Sequence, residues 1–586
     1  MGVKATSMRG SLSQIRIRFL LHLAIVLATA NFYLHAIKAD THASLVLRGG
    51  TILTMDPSQP TAEAIAVQAD RIVWLGEGQS VEKWIGKATQ VIELEGRTVI
   101  PGMTESHGHL IGLGDALMSL DLTGAKDFSA IIELVAGAAS RTPKGEWIIG
   151  RGWHQEKWDR QPDPHVDGTP VHKALSRISP DHPVLLTHAS GHMCLANAHA
   201  MKLAGITERS KDPPGGAIVR DANDTPTGVF RENATGSLYR ALQRARDATS
   251  PQVQRDRFLQ AVQMAGRECL RHGITTFHDA GTDFSTAEAY RELAAEKALP
   301  VRLYVMLNES NRSLARRMAE IRTVGSENHF LTVRAVKRVF DGALGSHGAW
   351  LLEPYEDVGR SLGHNTMTTK SLQETARLCL KHDYQLCVHA IGDRANREVL
   401  DVFQRAFEGV PDSKKLRWRI EHAQHLHPDD IPRFGSMGVI ASMQGIHATS
   451  DGPYVVQRLG LRRAHQGAYA WRRLLDTGAV IANGTDTPVE PINPWACFYA
   501  SVTRKMANGV VFFPHQAMTR NEALISYTRD ATFAGFGLKN TGTLTRGKLA
   551  DLVVLSHDPL RCDLTELNNI RVITTVLAGK IVWQLN

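Results

Sequence analysis

Apolar and polar positions change rhythm along the chain. Residues 43–54 read as a strand, a glycine turn and a second strand, and 64–67, 71–74 and 90–94 continue the short-strand pattern. The far end repeats it at 551–555 and 572–577, with Gly579-Lys580 as a turn before 581–583. The middle differs: short apolar strands are followed by helical patterns over 251–271, 286–297 and 371–382. Strands alternating with helices predict βαβ units and a parallel sheet. The strand candidates end near His109, Asp279, Asn308, Phe340, His389, His422, Gln444 and Asp486. Eight strands close a (β/α)8 barrel, whose catalytic side chains sit at the C-terminal strand ends. The expected fold class is therefore α/β. A TIM-type barrel spans 101–540, and a small β-sandwich domain is built from both termini, 40–100 and 541–586. A large insertion, 111–270, follows barrel strand 1.

Composition alters this picture mainly at the N-terminus. The chain has 586 residues, 43% of them hydrophobic, and a net charge of +8. Lys4, Arg9, Arg16, Arg18 and Lys38 supply five of those charges in 1–39, which holds no acid. No long basic stripe follows, so nucleic acid is not an expected partner. The basic start, the apolar run 19–28 and the small residues at 28–30 and 36–39 predict a signal peptide and an exported protein, periplasmic, secreted or in the secretory pathway. An uncleaved anchor is the competing reading, and the only route to a membrane; His22, Asn31 and His35 dilute the apolar run and favour cleavage. The six cysteines form no CxxC pair, so neither a disulfide framework nor a cysteine zinc site is expected. A homodimer is compatible with all of this.

The candidate chemistry lies at the strand ends. In VIPGMTESHGHLI (99–111), His107 and His109 are two apart, so on a strand both face one side. Neutral imidazole is a common metal ligand, although a bare HxH is usually an ordinary loop. CVHAIGD (387–393) puts His389 at a fifth strand end, RIEHAQ (419–424) puts His422 at a sixth, and IANGTDTPVE (481–490) puts Asp486 at an eighth. Four histidines and an aspartate at such positions point to a metal centre.

With GITTFHDAG (273–281) and the tail GTLTRGKLADLV (542–553), these motifs resemble the amidohydrolase superfamily of metal-dependent hydrolases, in its family 3, YtcJ-like branch. The resemblance implies that His107, His109 and Asp486 hold one divalent metal and that His389 and His422 hold a second, zinc being the first choice. It implies that Lys337, in VRAVKRVFDG (333–342), is carboxylated and bridges the two, with Arg334 and Arg338 as neighbours. A divalent metal lowers the pKa of bound water and polarises a carbonyl, and a carboxylate moves the proton. Asp486 takes that role, in hydrolysis of an amide, N-formyl or carbamate C–N bond of a small-molecule substrate. Weaker substrate-binding candidates are His192, Asp341, His347, Gln444 and His447. Trp153 reads as packing, and Gly445 stands where the family usually has proline. The rival classes are a non-catalytic scaffold or receptor on the same fold, and a metal-dependent isomerase or decarboxylase. The stretch GTLTRGKL (542–549) imitates a phosphate-binding loop, but Leu549 replaces the hydroxyl residue and strands follow where a helix is needed. No GxSxG elbow is present.

Overall fold

The computed structural model describes residue 2 and residues 42–585, apart from 190, 192, 327 and 328. The expected leader therefore lies outside the described residues but for Gly2, as does His192. Eight parallel strands form the central sheet: β1 (Met103–Gly108), β2 (Ile274–Thr282), β3 (Arg302–Leu307), β4 (Leu331–Val339), β5 (Gln385–Ala390), β6 (Arg419–His422), β7 (Ile440–Met443) and β8 (Ile481–Asn483). They are hydrogen-bonded in chain order from β1 to β8, which is the expected barrel. Helices cover the outside, and the one at Pro251–Arg271 shows why. Ser250 caps it by accepting from the Val253 N–H, Pro251 opens it, and Ala261, Val262, Ala265 and Cys269 form its buried stripe. Val262, Ala265 and Cys269 of that stripe join the barrel's own core together with Phe277, Leu303 and Val305. Each large side chain so buried contributes about 1.5–3 kcal/mol.

Side chains and loop amides, rather than a strand ladder, join β8 back to β1. The Ser106 hydroxyl donates to the Asn483 carbonyl at 2.7 Å, the Thr485 N–H donates to Glu105 Oε1 at 2.8 Å, and the Asp486 N–H donates to the His107 carbonyl at 2.9 Å. The seam thus runs through the two-histidine motif and Asp486. Gly484 is needed there, because a Cβ would lie 2.2 Å from Glu105 Oε1 and 2.9 Å from the His107 nitrogen.

The two chain ends build one sheet together. Leu552–Leu555 pairs with Thr98–Pro101, which pairs with Leu45–Leu53, and Leu47, Ile65, Val99, Leu552 and Val576 share a core. One expectation is corrected here. The segment 43–54 is not two strands around a glycine turn but one strand, Leu45–Leu53, with a bulge between Arg48 and Ile52. Gly49 takes φ +76°, and a Cβ on Gly50 would lie 2.2 Å from the Arg97 carbonyl oxygen. The bulge lets a single strand change partners, from Gln90–Glu93 to Thr98–Pro101.

Within the expected insertion, strands between Leu120 and Glu232 form a six-stranded sheet with its own core of Leu122, Ile131, Val135, Leu186 and Val229. Trp153 packs there, buried, with its indole N–H on the Leu186 carbonyl at 2.9 Å. Arg151 donates to the carbonyls of Pro488 (3.1 Å) and Ala189 (3.2 Å), tying this sheet to the loop after β8. All six cysteines are unpaired. No helix among the described residues is long and apolar enough to cross a membrane.

Candidate metal centre

The C-terminal ends of β1, β4, β5 and β6, with the loop after β8, converge on a cavity of about 320 Å³ lined by His107, His109, Lys337, His389, His422 and Asp486. His109 Nε2 is 3.2 Å and His107 Nε2 3.5 Å from Asp486 Oδ1. Lys337 Nζ is 3.2 Å from His107 Nε2. The His422 ring centroid is 4.7 Å from that of His107 and 4.5 Å from that of His389. His109 is the most open of the set, its side chain 41% exposed. His107, His109 and Asp486 form one group with all ligand atoms within 4.8 Å, and His422, His447 and Asp486 form another.

Two of these residues hold strained backbone. His422 has φ +74° and Asp486 φ +58°, a region that costs a side-chain-bearing residue energy and persists where surrounding structure enforces it, commonly at functional sites. In Asp486 that enforcement is visible: its N–H is held by His107, and its carbonyl accepts from the Val489 N–H at 2.8 Å.

Electrostatics favour the ligand-ready forms. Burial, aided by the Lys337 charge, brings the His107 imidazole down to about 4, and burial with His107 nearby holds His422 well below the usual range. Both shifts favour the neutral form, which has a lone pair to give. Burial opposes the charge on Asp486, but His107, His109 and His422 hold its carboxyl well below the ordinary range. Burial pushes the Lys337 ammonium down. Asp486 Oδ1 is buried and faces His109 Nε2 and His107 Nε2. A buried carboxylate facing imidazole nitrogens is a donor set that suits a divalent cation.

A second ring of contacts orients these groups. His107 Nδ1 meets the Glu421 carboxylate, so Nε2 faces the centre. Glu421 accepts from Arg419 Nε at 2.7 Å and from Arg419 Nη2 at 2.9 Å, and Arg419 in turn reaches the Ser106 carbonyl, the Ser442 hydroxyl and His278. Burial works against the Glu421 charge, yet Arg419 and His107 hold its carboxyl well below normal. His422 Nδ1 meets Gln444 Oε1 at 2.8 Å. Asp341 Oδ1 is 3.4 Å from His389 Nε2, and its carboxylate accepts from the N–H groups of Ile391, Gly392 and Trp350.

The weaker candidates therefore separate. His447 lines the cavity. Gln444 and Asp341 lie just outside it, each against a histidine. His347 is turned away at φ +60° with Nε2 on Asp357 at 3.2 Å, and it does not line the cavity. Gly445 starts the helix Gly445–Gly467, where a Cβ would lie 2.2 Å from the Ser501 hydroxyl.

Sequence reasoning passed over Arg419 and Glu421, although two charges at i and i+2 in a buried strand must find partners. It also passed over His154 and Lys157, which the insertion brings to the cavity, and Asp451, Tyr454 and Glu490, which line it too. No local pattern marks these.

Comparison with known proteins gives the chain's relatives. The profile of the amidohydrolase family matches residues 90–583. YtcJ of Bacillus subtilis (strain 168), which carries an amidohydrolase name, is 30% identical over 92% of this chain and 99% of its own. The N-substituted formamide deformylase of Arthrobacter pascens is 25% identical over 92% of this chain and 98% of its own. The crystal structure of an uncharacterised metal-dependent hydrolase from Pyrococcus horikoshii OT3 superposes with a TM-score of 0.72 at 25% identity, covering 89% of this chain and 99% of that one.

Proposed function

This chain belongs to the amidohydrolase family and is a metal-dependent hydrolase, and from that premise we propose that it cleaves a non-peptide C–N bond in a small molecule, of the amide, N-formyl or carbamate class. The similarity to a formamide deformylase supports the N-formyl class in particular. The observation that carries the reading is the convergence of four histidines, an aspartate and a lysine from four strands and the loop after β8 on one cavity. His107, His109 and Asp486 would hold one ion and His389 and His422 a second, zinc suiting this nitrogen-rich set. Lys337, whose ammonium burial disfavours, would add through its amine nitrogen to carbon dioxide with loss of a proton, and the resulting carbamate would offer oxygen ligands to the metal. A metal held there would supply an acidified water and a polarised carbonyl.

The remaining work falls to side chains. Asp486, at the mouth of β8, takes a proton from the attacking water and returns it to the leaving nitrogen, so the amide and water become an acid and an amine. Glu421 and Gln444 fix the tautomers of His107 and His422, and Asp341 sits against His389. The cavity, at about 320 Å³, suits a compact substrate.

The test pairs metal analysis of the purified chain with a screen of N-formyl and N-acyl amines. The expected result is one or two zinc ions per chain and turnover of a member of that set. Asp486→Asn, nearly isosteric, should lose about 10²–10⁴-fold in rate, the span of a lost general acid–base. A metal-replete Asn variant working at the wild-type rate would reduce Asp486 to a ligand and end this mechanism.

A further inference from the structure

We infer that His447 is a catalytic residue of this site, its Nε2–H donating a hydrogen bond to the oxygen of the carbonyl under attack. The inference rests on the hydrolase reading above and adds a group which that reading leaves without a role. His447 is 6% exposed and lines the cavity, its ring stacked beside that of His422 with centroids 6.2 Å apart and planes 19° apart. One of its nitrogens lies within 4.8 Å of ligand atoms of His422 and Asp486. Its two nitrogens are not equivalent. Nδ1 is 3.1 Å from the side-chain amide nitrogen of Gln424. An amide N–H only donates, so Nδ1 accepts, and in a neutral imidazole the proton then resides on Nε2. Nε2 is buried without a hydrogen-bond partner among the described residues. A buried N–H left unmatched is costly, and that cost is recovered when a substrate oxygen arrives.

The same tautomer argues against His447 as a further metal ligand, since an Nε2 that carries the proton has no lone pair to give. The helix start that bears it has donors already in use. Its first two amides are already engaged, Gly445 N–H on Asn483 Oδ1 at 3.0 Å and Ile446 N–H toward Cys497 Sγ at 3.2 Å. Gln424 is in turn held, its backbone carbonyl accepting from the Tyr469 N–H at 2.6 Å, which makes Gln424 a positioning residue for the tautomer. In the tetrahedral step, negative charge grows on the carbonyl oxygen. A donor already in place there acts on the transition state more than on the ground state, and losing one such donor costs about 10²–10³-fold in kcat.

The experiment uses the full chain loaded with zinc and the best N-formyl or N-acyl substrate of the screen. His447→Phe should keep the wild-type metal content and a KM within about threefold, and lose about 10²–10³-fold in kcat. His447→Gln, which keeps an N–H donor and guards against a folding defect, should recover part of that loss. Gln424→Glu, which puts an acceptor against Nδ1 and draws the proton there, should also lower kcat with the metal retained. A fall in metal content in His447→Phe would make His447 a ligand and overturn the inference. So would wild-type kcat in that variant, while leaving the hydrolase reading intact. A metal-loaded wild type that turns over none of the amides overturns the hydrolase reading and this inference with it.

Discussion

Glu421→Gln removes one charge and almost no volume, and its consequences can be worked from the contacts. Glu421 and Arg419 are both fully buried. The carboxylate accepts from two Arg419 nitrogens and meets His107 Nδ1, so it serves as the counter-ion of a guanidinium and the anchor of a candidate ligand at once. Neutralising it leaves Arg419 with the Ser106 carbonyl, the Ser442 hydroxyl and His278, none of them anionic. Breaking a buried pair in this way costs about 3–5 kcal/mol, a large part of the ~5–15 kcal/mol that holds a domain together. Loss of the carboxylate behind a metal-bound histidine weakens metal binding by about 10–100-fold. Urea denaturation of the chelator-treated protein measures the first effect, and competition against a zinc chelator the second. The double variant Arg419→Met, Glu421→Gln should recover part of the stability, because the orphaned charge is gone, but none of the metal affinity. A Glu421→Gln protein with both the midpoint and the zinc affinity of wild type would refute the reasoning.

Lys337→Ala should lower the metal bound per chain, with partial recovery on adding a short carboxylate such as acetate; unchanged metal content would remove Lys337 from the centre. His425 titrates far from its ordinary value, burial holding its imidazole down to about 3. Below pH 6.5 the unfolded chain binds a proton there that the folded chain refuses, so this contribution to stability is intact above 6.5. It declines as pH falls toward 3, by about 1.4 kcal/mol per unit and about 2 kcal/mol by pH 5. His425→Phe, which can keep the edge contact with Tyr469, should flatten that decline in unfolding measured at pH 7 and pH 5, and an identical decline in both proteins would count against it. Gly484→Ala should lose about 1–3 kcal/mol by forcing the β8–β1 seam apart, and should weaken zinc binding with it; an alanine variant as stable as wild type would show that the seam yields freely.

The barrel was legible because its strands are buried on both faces and so read as apolar runs, each followed by a helical rhythm. The main ligand candidates were legible for a related reason. Strand ends of a parallel barrel share one rim, so His107, His109, His389, His422 and Asp486 could be assigned to a common point from their positions alone. A bulge could not be told from a turn at Gly49-Gly50, since both want glycine, and only the partner strands decide which forms. Nor could the surroundings of the ligands be read. Glu421 meets His107 across 314 positions of sequence, and Gln424 meets His447 from the neighbouring strand's exit. His154 and Lys157 reach the cavity from the insertion, which Arg151 ties to the Pro488 loop. His347 follows the lysine strand in sequence, yet its left-handed backbone turns it toward Asp357. Periodicity reports which way a side chain faces within its own element. What it meets there depends on how distant elements pack, and that is settled only when the barrel closes.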